Sequence, residues 1–359
     1  MIEQFFEKEP YSLCKEEKTE MLTAELKELT EHHKKCCREY SSILTAMGYS
    51  SDSVNTYYDL PFIPVRVFKE MELLSIERKA VFKTMTSSGT TGQAVSKIFV
   101  DKNTAANQQK TLIKILTSFI GKERLPMLII DSPAAIKNRE MFSARGAAIL
   151  GLSMLAREKT FVLNDDMSIN MDVFNEFVEK NKGKKFLIFG FTFMVWQHFY
   201  NEMVNKNLFF AFKDSWLITG GGWKKLVSAS ISRDDFKQKI TEQFGIVNFL
   251  DHYGMVEQTG SIYAECPCGY MHTSIYSDVI VRKATDFSVC EKGEEGIIQL
   301  VSVLPRSYPG HSILTEDQGI ILGEDDCPCG RKGKYFKLTG RIRKAELRGC
   351  SDTYAAKFN

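Results

Sequence analysis

Residues 216–254 read WLITGGGWKKLVSASISRDDFKQKITEQFGIVNFLDHYG. A short apolar run from Trp216 breaks off into three glycines. Ser232 is placed to cap a helix that Gly245 ends. The apolar IVNFL that follows reads as a second strand running into a turn. Strand, helix, strand in this order is the repeating unit of an α/β sheet. It recurs upstream: LPMLIID (125–131) is a buried strand, GAAILGLSMLA (146–156) a packed helix or irregular segment, MDVFNEFVEK (171–180) a helix and KFLIFGFTF (185–193) another strand.

Outward from this centre the texture changes. Residues 1–48 carry apolar positions at three- and four-residue spacing and read as helices. The stretch NTYYDLPFIPVRVF (55–68) is aromatic and proline-bearing, a loop that packs. KAVFKTMT (79–86) reads as a strand, and the region of Asp101 to Thr104 caps a helix running to about Gly121. After about residue 276 the pattern predicts shorter strands with tight turns, a small β-rich subregion. We therefore expect an N-terminal helical region over 1–54, an α/β core over 55–340 with its β-rich part near 276–335, and a short C-terminal arm over 341–359.

Composition narrows the function. The chain has 359 residues, 47 basic against 45 acidic, for a net charge of +2. That balance gives no electrostatic reason for a nucleic-acid partner. It does not exclude a phosphate ligand, which needs local donors only. No basic segment followed by an apolar one opens the chain, and no apolar run reaches a membrane span. A cytoplasmic protein without a transmembrane segment is expected. The nine cysteines, an odd number, argue against a disulfide framework.

Five short segments can carry chemistry. Thr86-Ser87-Ser88-Gly89-Thr90-Thr91-Gly92, followed by Lys97, offers backbone N–H groups and hydroxyls to an anion; its plain alternative is a polar turn. It is not a Walker A loop. Gly220, Gly221 and Gly222 let a flat ligand approach the backbone, or simply make a tight turn. In Asp251-His252-Tyr253-Gly254-Met255-Val256-Glu257, the tyrosine can stack on a purine and the carboxylate can bind Mg2+; His252 reads as structural. Asp317, in Thr315-Glu316-Asp317, can accept from a ribose diol. Arg341, in Thr339-Gly340-Arg341, can present a guanidinium to phosphate or ribose.

Taken in order, SSGTTG, TGGG, YGMVE, TED and TGR resemble the core motifs of the adenylate-forming superfamily. The match is closest to its short branch, the bacterial acyl-protein synthetases of the bioluminescence fatty acid reductase complex, with phenylacetate-CoA ligases as relatives. The resemblance covers roughly residues 55–355. It implies an α/β adenylate-forming fold of the N-terminal-domain type, acting on ATP, Mg2+ and a fatty or other carboxylic acid. Ser87, Ser88, Gly89, Thr90, Thr91 and Gly92 would hold the phosphates, with Lys97 among the catalytic residues. Gly220, Gly221 and Gly222 would pass the adenine and acyl groups. Tyr253 and Gly254 would flank adenine, Glu257 would help bind Mg2+, Asp317 would hold the ribose and Arg341 would anchor the nucleotide.

Two departures stand out. The acidic motif usually reads TGD, and here Glu316 replaces the glycine. The chain also ends about eighteen residues after Arg341, whereas acyl-CoA synthetases continue into a mobile C-terminal domain. This favours a protein thiol over free CoA as acceptor. In the resembling family a C-terminal cysteine is acylated within a segment like RGCSDT, which places that role on Cys350. The family's partner is an NADPH-dependent acyl reductase. The rival readings are an acyl- or aryl-CoA ligase and a zinc-stabilised scaffold without activity.

Cys266-Pro-Cys268-Gly-Tyr-Met-His272 and Cys327-Pro-Cys329-Gly330 are near duplicates. Thiolates and an imidazole suit a tetrahedral structural Zn2+. One candidate is surplus, so either Cys268 or His272 stands aside.

Overall fold

The computed structural model describes residues 2–87, 95–136, 141–221 and 231–342. The chain divides into two compact units. Among the described residues, one is formed by 119–136, 141–221 and 231–253, the other by 2–87, 95–118 and 254–342.

The first unit is built on a parallel sheet. Its strands lie in the order Asn248–Tyr253, Trp216–Gly220, Leu187–Phe191, Leu125–Ile129 and Ala156–Phe161. Leu125–Ile129 and Leu187–Phe191 are buried at every position. A parallel strand covered on both faces reads as an unbroken apolar run, as these do. The helix Arg233–Phe244 starts at Ser232, whose hydroxyl accepts from the Asp235 N–H at 3.1 Å, and stops at Gly245 with φ +67°. Ala144–Leu152 is helical.

The expected strand over 185–193 is two residues too long at each end; it begins at Leu187. It ends at Phe191, and Thr192 opens a helical stretch to Asn205 with a π-helical segment at Val195–Tyr200. Val195, Phe199 and Met203, four apart, are the buried positions that impose the helix. Its aromatic face is core: Phe199 stacks on Phe244 at 4.7 Å, and Phe174 meets Phe199 edge-on at 5.6 Å. Each such ring contributes about 1.5–3 kcal/mol through burial.

The second unit holds an antiparallel sheet in the order Ser277–Arg282, Glu295–Ser302, Ser312–Glu324, Lys334–Arg341, Met271–His272 and Tyr263–Glu265. Ile63–Pro64 runs parallel beside Ser312–Glu324, so the predicted loop at 55–68 carries a short strand. The strands beyond 276 are longer than expected, up to 13 residues. Register shifts at Gln318/Gly319 and Ile321/Gly323 let the long strand bend without ending. A Cβ on Gly319 would stand 2.7 Å from the Lys337 carbonyl oxygen. The strand expected at 79–86 is confined to Lys83–Thr86, paired with Lys97–Val100.

The N-terminal helix Lys15–Cys36 is tied to this sheet by buried polar groups. Lys18 donates to the Thr273 hydroxyl at 2.8 Å and faces Asp278 at 3.6 Å. Lys334 donates to the Tyr57 hydroxyl at 3.0 Å and to the Val279 carbonyl at 2.9 Å. Burial pushes the Asp278 carboxyl upward, but Lys18 and Lys334 outweigh it and hold it below the usual carboxylate range.

A second buried cluster makes folding pH-dependent. His33 and His311 are fully buried and stacked at 4.9 Å. His33 contacts the Ser75 hydroxyl at 2.7 Å and donates to the Pro305 carbonyl at 3.0 Å; His311 contacts the Thr30 hydroxyl at 2.8 Å. Burial drives His311 down to about 3 and His33 well below 6.5. Above pH 6.5 both folded and unfolded states are neutral at these rings. Below it only the unfolded chain takes up the protons, so stability falls with pH by about 1.4 kcal/mol per unit for each histidine. Urea midpoints at pH 7 and pH 5 should show this loss, and His311→Gln should flatten the slope.

Candidate active site

In an open parallel sheet, ligands bind beyond the carboxyl ends of the strands. Gly220 occupies that end of Trp216–Gly220, in register with Phe191 and His252. A Cβ on Gly220 would stand 2.5 Å from His252 Cε1, so any side chain here would have to displace the His252 ring. Gly221 has φ +74°, and its carbonyl accepts from the Thr192 hydroxyl at 2.8 Å. Gly222 lies outside the described residues.

His252 packs against Gly220, and its burial lowers the ring pKa, with Asp251 opposing. A neutral structural imidazole matches the sequence reading. Asp251 accepts from the Thr219 hydroxyl at 3.2 Å and pairs with Arg233. This Asp251–Arg233 pair was not legible beforehand, because nothing local joins positions 18 residues apart. Tyr253 closes its strand half-buried.

The other candidates among the described residues lie in the second unit. Ser87 ends the hairpin formed with Lys97–Val100: its N–H donates to the Ser96 carbonyl at 3.1 Å, and its hydroxyl accepts from the Ser96 N–H at 2.9 Å. Ser88, Gly89, Thr90, Thr91 and Gly92 fall outside the described residues. Lys97 is half-exposed and lies 3.6 Å from Glu72. Gly254 is exposed; Glu257, three residues on, is buried. Burial raises the Glu257 carboxyl, while Ser96, Lys69 and Arg341 pull it back. A carboxylate supplies the hard oxygen that Mg2+ takes as a ligand.

Asp317 and Arg341 are brought together. Arg341 Nε donates to Asp317 Oδ1 at 2.7 Å across neighbouring strands. Thr315 fixes the approach: its hydroxyl accepts from the Asp317 N–H at 3.1 Å and donates to the Ile298 carbonyl at 2.7 Å. Glu316, the departure from the usual glycine, sits within the extended strand Ser312–Glu324, a conformation open to any residue.

Four donor atoms form a compact cluster in the same unit. Cys266, His272, Cys327 and Cys329 place one donor atom each within 4.8 Å of one another. Cys266 and Cys327 Sγ are 4.0 Å apart, and Cys329 Sγ is 3.4 Å from His272 Nε2. The edges of a tetrahedral zinc site are about 3.8 Å for S···S and 3.5 Å for S···N, from ordinary bond lengths. The duplicate sequences make duplicate turns. Gly269 N–H donates to the Cys266 carbonyl at 2.8 Å, and Gly330 N–H to the Cys327 carbonyl at 2.9 Å, both glycines with φ near +80°. The surplus ligand is Cys268, which is exposed and outside the cluster. Buried His272, on the strand after the first turn, takes the place that Cys329 has in the second. Burial lowers its imidazole to about 4, keeping it neutral near pH 7, the form that binds a metal. Cys350 lies outside the described residues.

A family profile described as "Acyl-protein synthetase, LuxE" matches residues 1–359. The chain belongs to this family. It is thus an adenylate-forming acyl-protein synthetase, an enzyme that uses ATP to activate a carboxylic acid as an acyl-adenylate.

Two curated relatives bear the name long-chain-fatty-acid--luciferin-component ligase. That of Vibrio harveyi is 21% identical over 330 residues, covering 89% of this chain and 83% of its own. That of Aliivibrio fischeri is 24% identical over 316 residues, covering 84% and 79%. Among solved structures, an open conformation of 2-hydroxyisobutyryl-CoA ligase superposes with a TM-score of 0.74 at 14% identity. It covers 93% of this chain and 77% of that one. That likeness carries the adenylate-forming α/β fold expected from the motifs. No described helix is long and apolar enough to cross a membrane.

Proposed function

We propose that the chain activates a long-chain fatty acid and transfers the acyl group to its own Cys350, from which a partner protein takes it. The observation that carries this reading is the family match, which runs through both the motif set and the RGCSDT segment. The names of the Vibrio harveyi and Aliivibrio fischeri relatives support the choice of acid.

In the first step a carboxylate oxygen attacks the ATP α-phosphorus and pyrophosphate leaves. Ser87, Ser88, Gly89, Thr90, Thr91 and Gly92 donate to the phosphates, with Lys97 contributing charge. Gly220 to Gly222 give the planar acyl-adenylate room against the backbone, Tyr253 and Gly254 border the adenine, and Asp317 accepts from the ribose hydroxyls beside Arg341. Glu257 would hold Mg2+, which when bound offsets the phosphate charge. In the second step the Cys350 thiolate attacks the acyl carbonyl and AMP leaves.

The partner that consumes such a thioester is a reductase using NADPH; the thioester is sufficiently activated to accept hydride. Cys266, His272, Cys327 and Cys329 hold a structural zinc. With all four positions filled by protein atoms, that ion has no place for substrate.

Exchange of labelled pyrophosphate into ATP tests the first step apart from the second. Exchange should require a fatty acid and Mg2+ and should persist in Cys350→Ala. Absence of exchange with every acid tried, in zinc-replete protein, would remove the reading.

A further inference from the structure

The mechanism leaves Cys36 unused, although its surroundings are those of a nucleophile. Cys36 is exposed at the end of the helix Lys15–Cys36. His32 lies one turn earlier on the same face, its Nδ1 3.8 Å from Cys36 Sγ. The other ring nitrogen, Nε2, is 3.0 Å from the Arg306 carbonyl oxygen. A carbonyl only accepts, so this contact requires the proton on Nε2. In the neutral ring Nδ1 is then the unprotonated nitrogen, and it is the one facing the thiol.

Nucleophile, base and a third group that orients the base are the parts of an activated cysteine. The Arg306 side chain adds to them. Its guanidinium makes a two-pronged pair with Glu28 at 2.7 and 3.0 Å, which anchors the loop that carries the orienting carbonyl. Cys36 also lies within electrostatic reach of that guanidinium. The neighbouring Cys37 differs in each respect. It is buried, and burial together with Glu39 disfavours its thiolate.

We propose that Cys36 is a second acyl-acceptor thiol, loaded by exchange with an acyl thioester. The proposal rests on the function above only for the source of that thioester. His32 Nδ1 takes the Cys36 proton, and the thiolate attacks the thioester carbonyl carbon. The C–S bond to the departing thiol breaks, and His32 returns the proton to it. The balance is acyl–S–R plus Cys36–SH giving acyl–S–Cys36 plus R–SH, with no oxidant or reductant.

The test supplies a ready-made thioester, S-octanoyl-N-acetylcysteamine, to Cys350→Ala protein without ATP. Adducts are mapped by peptide mass spectrometry. Cys268, exposed and with no such histidine contact among the described residues, serves as the internal reference. Cys36 should acylate at least tenfold faster than Cys268, and His32→Gln should remove that advantage, as expected for loss of a general base. The adduct should be cleaved by hydroxylamine. Acylation of Cys36 no faster than Cys268, or a rate unchanged by His32→Gln in protein of unchanged melting temperature, overturns the proposal. Either failure leaves the adenylation reading intact, because no adenylate is made in the assay.

Discussion

The native chain should be purified with one zinc ion, and Cys327→Ser protein should lack it and melt about 10 °C lower. The argument is one of loop closure. Cys266 and Cys327 are separated by 61 positions, and the cluster fastens two turns whose strands, Met271–His272 and Lys334–Arg341, share only two register pairs. Zinc-finger peptides gain about 10–16 kcal/mol from the metal because nothing else folds them. Here the sheet already holds the strands, so the increment should resemble that of a long-loop cross-link, about 3–5 kcal/mol. For a unit of this size each kcal/mol is worth about 2–4 °C. A chelator should lower the melting temperature of the native protein and leave that of Cys327→Ser unmoved. Native protein that contains no zinc and is indifferent to the chelator would contradict the assignment. Cys268→Ser, in contrast, should retain the metal.

The second large effect is on catalysis. Asp317→Ala should lower kcat/KM for ATP about a hundredfold, chiefly through KM. The carboxylate would lose two charge-assisted hydrogen bonds to the ribose diol, each worth about 1.5–3 kcal/mol, part of which water recovers. Arg341 also loses its 2.7 Å partner, so Arg341→Ala should reproduce part of the loss. Thr315→Val should give a smaller one, since that hydroxyl only aims the Asp317 backbone. Pyrophosphate exchange measured against ATP concentration separates these cases. An Asp317→Ala enzyme with native KM would place the ribose elsewhere.

The sequence was most legible where local chemistry decides structure. Ser232 and Gly245 bracket a helix because a cap hydroxyl and a left-handed glycine act within a few residues. The strands Leu125–Ile129 and Leu187–Phe191 were legible because burial on both faces leaves no polar position in them, whereas Ala156–Phe161, polar and exposed over much of its length, was not. The strand end at Phe191 was not, since FTFMVW is equally apolar as strand or helix and only the spacing of Val195, Phe199 and Met203 decides. The choice between Cys268 and His272 also lay beyond the chain's local pattern. It depends on which side of a turn faces Cys327, and that is set by strand pairing. The buried pairings of Lys18 with Asp278 and of His33 with His311 join positions some 260 and 278 residues apart, and no local signal announces them.

The central claim is that acyl activation ends on Cys350. Intact-protein mass spectrometry after incubation with ATP, Mg2+ and a panel of carboxylic acids tests it most directly. The account predicts an ATP-dependent gain of one fatty acid less one water, with long-chain fatty acids, and no ATP-dependent gain in Cys350→Ala. An unmodified chain that instead releases AMP only when CoA is added would contradict it and make the protein a CoA ligase.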